Sequence, residues 1–286
     1  MNRHRQFRQM ARARAADPAH RQTLERATHT HRVKVEAMRQ QQFGDWQAAR
    51  ERVAAVKDYV LAHLPDLLER LESRLSDHGV TVHWAEDAAA ARHVVDDLVR
   101  RHDVRRVVKG KSMTTEEIGL NAALEEHGVD VRETDLGEMI VQLAGERPYH
   151  IISPCIHKSR ADIAALFHDE LGTPPSAAAE ELTLAARAHL RQAFLDADLG
   201  ITGANFLVAD DGAVVLVENE GNIRLTSSCP PVHVVVAGIE KVLPRLSDLP
   251  LFLPQLATSG TGQQLTAYAS IIRGPAAHGE GAGRDA

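Results

Sequence analysis

Thiols are scarce in this chain: Cys155 and Cys229 are its only cysteines. Two cannot make a disulfide framework, and they cannot supply the four thiolates of an iron–sulfur cluster or of an all-thiolate metal site. Aromatic residues are also few, at 4%, so a core has to be built from Leu, Val, Ile and Ala. No apolar run approaches the length of a membrane span. The N-terminus has no apolar segment of the secretory type. Positive charge is not in excess either. The net charge of -6 argues against general nucleic-acid binding. What is present is an ordinary globular composition over 286 residues, 44% hydrophobic and 25% charged. That suits one large α/β domain or two small ones. The expected setting is the cytoplasm, with no membrane span.

Residues 1–77 read as a helical N-terminal extension in which Arg and Lys outnumber acids. It is either a basic arm that grips a partner or a solvated extension. Between Ala48 and Leu75 the apolar residues recur at helical spacing, with a break expected near Pro65. From Gly79 the rhythm changes to alternating strands and helices. Strands are expected at Val80–Trp84, Val104–Val108, Val129–Glu133, His150–Ser153 and Val232–Ala237. Helices are expected at Asp87–Arg101, Thr115–His127, Leu136–Ala144, Ser159–Leu171, Ser176–Leu199 and Ile239–Leu246. This alternation implies parallel βαβ units over residues 78–273. Gly200–Asn205 reads as a glycine-rich entry to a hairpin whose Asp211-Gly212 turn leads into Ala213–Val217. Tyr268–Ile272 reads as a strand, and residues 274–286 as a disordered tail.

Four constellations could carry chemistry. Lys109-Gly110-Lys111-Ser112 with Thr114 and Thr115 joins a strand to a helix start and suits an anion. Thr114 and Glu117 fit a capping box, which is the structural alternative. Glu133-Thr134-Asp135-Leu136-Gly137-Glu138 sits at the carboxyl end of the next strand, where ligands gather in open α/β sheets. Asp135 or Thr134 could cap the following helix, and Glu138 is the functional candidate there. Around Cys155, His157 and Lys158, two metal ligands fall short of a site, and His150 reads as a packed or hydrogen-bonded histidine. Glu218-Asn219-Glu220-Gly221-Asn222 is an acidic turn after a buried strand, and Arg224 is the natural partner for either glutamate or for a bound carboxylate. One Pro230-Pro231 bond is a candidate for the cis form.

Taken in order, Lys111-Ser112-Met113, Glu133 to Glu138, Pro154 with His157-Lys158, Gly200 to Phe206, Glu218 to Asn222, Gly238-Ile239-Glu240-Lys241 and Ser259 to Gln263 closely resemble the lactate-utilisation (LUD) domain family. The resemblance covers essentially the whole chain. It implies a Rossmann-like three-layer α/β/α fold similar to the sugar-phosphate isomerase and CoA-transferase superfamily. It implies a subunit of a complex that oxidises L-lactate to pyruvate and passes electrons along iron–sulfur clusters. Its partners would be the other lactate-utilisation subunits, with a homo-oligomer also open and a small carboxylate as ligand. Members of this type continue into a cysteine-rich ferredoxin-like module, so the 4Fe-4S clusters are implied for that module and no cofactor or metal for this chain. The candidate ligand-binding residues, from these constellations and motifs together, are Lys109, Gly110, Lys111, Ser112, Thr114, Thr115, Asp135, Glu138, His157, Asn205, Asn219, Asn222 and Arg224. By analogy with CoA-transferases that use a glutamate nucleophile, Glu218 and Glu220 are the catalytic candidates. Two readings follow: a docking and ligand-binding domain, or a stand-alone transferase- or isomerase-like enzyme acting on a small carboxylate or phosphate.

Overall fold

The computed structural model describes residues 3–150 and 152–275. Four helices come first: α1 (Arg3–Ala16), α2 (Pro18–Gln42), α3 (Trp46–Ala62) and α4 (Leu64–Asp77). Asp17 accepts from the N–H groups of Ala19 and His20 at the start of α2, and Asp45 from that of Ala48 in α3. Pro65 falls in the first turn of α4, where its missing N–H has no helical partner to lose, so the apolar stretch divides at His63.

Strands and helices then alternate: α5 (Ala88–Arg101), β1 (Arg106–Lys109), α6 (Met113–Glu117), α7 (Leu120–Glu126), β2 (Asp130–Glu133), α8 (Leu136–Leu143), α9 (Arg160–Leu171), α10 (Ala179–Asp196) and β3 (Leu199–Thr202). The remainder is β4 (Phe206–Val208), β5 (Ala213–Glu218), α11 (Asn222–Ser228), β6 (Val232–Val235), β7 (Val242–Leu243), α12 (Leu249–Thr261) and β8 (Tyr268–Ile272). The order β2-β1-β3-β6 forms a parallel sheet. Such a sheet is buried on both faces. Side chains alternate accordingly. Val107 packs with Val95, Val99, Leu120 and Leu124 of α5 and α7. Its neighbour Val108 packs with Met139, Phe167, Leu182 and Phe194 of α8, α9 and α10. This is the three-layer α/β/α arrangement expected from the sequence.

A second sheet has the order β7-β4-β5-β8, with β5 antiparallel to β4 and β8. Val208, Ala213 and Val215 pack on Leu249 and Phe252 of α12. Val60, Leu67 and Leu71 of α3 and α4 pack with Ala209 and Val242. Helices within the first 77 residues thus supply core to this sheet. Val214 and Leu216, on the other pleat of β5, pack with Ile223 of α11 and Val235 of β6 and join the two sheets.

Several expectations need correction. Gly200 is not in a loop: Leu199–Thr202 is a central strand, and Leu199 begins it instead of ending α10. A Cβ at Gly200 would lie 1.9 Å from the backbone oxygen of Thr226, so glycine lets α11 rest directly on β3. Val80–Trp84 joins no sheet, and Val80 and Val82 pack beside α4 instead. His150, Ile152 and Ser153 lie in turns and bends, not a strand, and Ile151 is outside the described residues. The helix expected over Thr115–His127 breaks at Gly119, whose φ is 66°. Ser112, not Thr114, caps α6. The helix expected at Ile239–Leu246 is a 3-10 turn followed by β7, which pairs in parallel with β4. No described peptide bond is cis, those of Pro230-Pro231 included. Residues 247–262, unassigned from sequence, hold α12 with Pro254 inside it. The tail from residue 276 lies outside the described residues.

Candidate functional site

The parallel sheet changes winding direction at β1, with β2 on one side and β3 on the other. The loops leaving the carboxyl ends of β1 and β3 diverge there, and such a switch point is where doubly wound sheets hold ligands. Lys111-Ser112 follows β1 and Gly203-Ala204 follows β3. The loops touch: a Cβ on Gly203 would lie 2.8 Å from Ser112 Oγ. A cleft of about 370 Å³ opens at this point, lined by Lys111, Ser112, Met113, Thr114, Asp135, Gly203, Ala204, Asn205, the segment from Leu216 to Glu220, Asn222, Ile223 and Lys241. Its size suits a small molecule.

The acidic turn is built by its own carboxylates. Both oxygens of Glu218 accept backbone hydrogen bonds at the start of α11, from Ile223 at 2.6 Å and Arg224 at 3.0 Å. Glu220 Oε2 accepts from the N–H of Leu136 at 3.1 Å and ties the turn to α8. The Glu220 residue is exposed overall, yet its carboxyl is raised, chiefly by desolvation in the cleft wall and then by Asp135. Asn219 exchanges amide hydrogen bonds with Gln263, at 3.0 and 3.3 Å. Asn205 Oδ1 accepts from Val217 N–H at 2.9 Å and fixes β5 against the β3 loop. Asn222 donates to Thr134 Oγ1 at 3.3 Å. Asp135 caps α8 through Glu138 N–H. The amides and most of the acids therefore hold the walls in place. Lys111 differs. Among the described residues it makes no side-chain hydrogen bond and no ion pair, and its charge reaches Glu138 and Glu220 only from further off. Lys241, also in the lining, is 3.5 Å from the exposed Glu240.

Of the sequence candidates, the structure gathers Lys111, Ser112, Thr114, Asp135, Asn205, Glu218, Asn219, Glu220 and Asn222 around one cleft. The others stand elsewhere. Lys109 and Thr115 are fully buried behind it, hydrogen-bonded to each other at 3.2 Å. Gly110 lies under Ile223. Glu138 lies one turn into α8, and its carboxyl is pushed up to about 8 by burial first and then by Glu116 and Glu133. His157 stacks on Tyr149 and meets Glu146 at 2.7 Å. The Arg224 guanidinium pairs with neither Glu218 nor Glu220 and lies over the Tyr268 ring, 4.8 Å from its centre. The sequence places Lys241 in a motif but not in the site, and the two-residue buried strand that follows it, Val242–Leu243, is too short to signal the position.

An iron–sulfur cluster takes four thiolates. Here Cys155 is half-buried with its thiol raised by burial, and Cys229 is exposed. These residues do not fit such a cluster. No described helix is long and apolar enough to cross a membrane.

The fold and the cleft place the protein among doubly wound α/β domains with a ligand-sized crevice at the switch point. More particularly, the chain belongs to the LUD domain family, whose match covers residues 68–281. It is 40% identical over 244 residues to lactate utilization protein B of Bacillus velezensis, covering 85% of this chain and 51% of the relative. Identity to lactate utilization protein B of Bacillus subtilis is 39% over 241 residues, 84% of this chain and 50% of the relative. It is also 39% identical over 234 residues to the uncharacterized electron transport protein YkgF of Escherichia coli, 82% of this chain and 49% of the relative. The chain thus spans about half the length of these curated relatives. No solved structure matches it.

Proposed function

We propose that this chain is the ligand-holding and docking part of a subunit like lactate utilization protein B. In this reading it supports oxidation of L-lactate to pyruvate in an iron–sulfur electron-transfer complex. The cleft between the β1 and β3 loops takes a small carboxylate, L-lactate or pyruvate. The observation that carries the reading is Lys111: a cation with no side-chain hydrogen bond or ion pair among the described residues, in the lining of a ligand-sized cleft at the switch point. Lys241, also in the lining, supplies a second positive charge. The fixed amides and capped acids make those walls rigid, which limits the entropy lost on binding. Docking to the other subunits is assigned to α1, whose Phe7 and Met10 are 71% and 61% exposed among arginines.

A stand-alone transferase or isomerase using Glu218 or Glu220 is the second reading. The raised carboxyl of Glu220 in the cleft wall favours it, but both oxygens of Glu218 are already taken by backbone N–H groups. Isothermal titration of the purified chain with L-lactate and pyruvate tests the first reading. Saturable binding is expected, weakened about tenfold in Lys111→Ala, equivalent to ~1.4 kcal/mol. No binding, or binding indifferent to Lys111, would remove it.

A further inference from the structure

A second cluster of chemistry-bearing side chains lies beside the cleft but outside its lining. Glu116 of α6, Glu138 of α8 and His150 each bring one ligand atom within 4.8 Å of the others. His150 Nε2 and Glu116 Oε2 are already in direct contact.

Glu138 is the member that needs explaining. The residue is only 4% exposed, and its Oε1 has no hydrogen-bond partner among the described residues. Glu116 Oε1 is likewise buried without a partner among them. A buried carboxylate normally collects donors or a counter-charge, because leaving it bare is strongly unfavourable. The surroundings add to the difficulty. Glu116 and Glu133 both repel a charge on Glu138. Lys109, the buried cation nearby, is held by Glu133 at 2.9 Å. Three carboxylates therefore converge where one ammonium is already engaged by Glu133 and the Lys111 charge acts only from further off. A cation bound among Glu116, Glu138 and His150 would compensate the two carboxylates of that cluster.

We propose that Glu116, Glu138 and His150 form a binding site for a divalent transition-metal ion of the Zn²⁺ class. Two carboxylates and one imidazole are a mixed oxygen and nitrogen set, which suits Zn²⁺ or Mn²⁺ better than Mg²⁺ or Ca²⁺, whose ligands are oxygens. Three protein ligands leave a further coordination position for water or an added ligand. The partly exposed side chains of His150 and Glu116, at 26% and 23%, give the ion a route in. Another group, His93, Asp96 and Asp97, has similar spacing. There His93 and Asp97 are exposed, and Asp96 is already held by Arg100 and His127. The proposal does not depend on the lactate or pyruvate reading of the cleft.

The test uses the full chain, stripped with a chelator, desalted, and titrated with Zn²⁺ by calorimetry and with Co²⁺ by visible absorption. One Zn²⁺ per chain is expected. Affinity should fall about tenfold or more in Glu138→Gln and in His150→Ala, and should be unchanged in His93→Ala. The Co²⁺ bands of a low-symmetry site should vanish with His150→Ala. That substitution removes a partly exposed side chain, so it keeps the test valid should Glu138→Gln disturb folding, which circular dichroism would show. Absence of saturable binding would overturn the proposal. So would binding that is lost in His93→Ala and kept in Glu138→Gln.

Discussion

Lys109 Nζ stands 2.9 Å from Glu133 Oε1, and the two residues are register partners at the carboxyl ends of β1 and β2. Both are buried, the lysine completely. Thr115 Oγ1 takes a second hydrogen bond from the ammonium, and Asn121 donates to the same carboxylate oxygen at 2.7 Å. The pair fastens the two strand ends that lead into Lys111 and Asp135 of the cleft.

Breaking that pair strands a buried charge. Lys109→Met should destabilise the fold by about 3–5 kcal/mol. The double variant Lys109→Met, Glu133→Gln should recover much of the loss, because neither charge is then left behind. Urea unfolding of the single and double variants measures this. Strictly additive losses would mean that the two residues do not act as a pair.

Acid should weaken the fold through His233. Burial pushes its imidazole down to about 4, and its Nε2 meets Thr202 Oγ1 at 2.8 Å across β6 and β3. The unfolded chain takes up this proton near the ordinary value of 6.5, while the folded chain resists until about 4. The neutral ring's contribution is therefore complete above pH 6.5 and is lost progressively as pH falls toward 4. The loss is on the order of 2–3 kcal/mol. Unfolding midpoints between pH 7 and 4 should fall more steeply for the native chain than for His233→Gln. Parallel profiles would remove His233 as the cause.

Two glycines should respond oppositely to the same added methyl. In Gly200→Ala the Cβ meets the backbone oxygen of Thr226, which cannot rotate away. A loss of about 1–3 kcal/mol or more is expected. At Gly260 in α12 nothing lies within 4 Å, so Gly260→Ala should be neutral or stabilising by up to about 1 kcal/mol. Thermal denaturation of the two variants decides this, and equal effects would contradict the close approach of α11 to β3.

How much of this was legible follows from what each residue does. Val107 and Val108 bury opposite faces, so their β-branched run announced a strand. The Asp211-Gly212 turn announced the hairpin. Gly200 hid β3, because the residue that lets a helix touch a strand is the one a strand pattern does not contain. Gly119 hid a break because an isolated glycine within a helical pattern is usually tolerated. Most of the cleft was legible, since Lys111, Asp135, Asn205 and Glu220 all follow strand ends. From sequence Lys109 reads as a ligand group, whereas as the last residue of β1 it is fully buried against Glu133. The Glu116, Glu138 and His150 cluster was not legible, because its members come from three separate segments that only packing brings together.

The central claim is that a small carboxylate occupies the cleft between the β1 and β3 loops. Backbone amide shifts of the isotopically labelled chain, followed during titration with pyruvate or L-lactate, test it most directly. The expected shifts gather at Lys111–Thr114, Gly203–Asn205 and Glu218–Asn222, and disappear in Lys111→Ala. Shifts that are absent, or that gather away from these three segments, would contradict it.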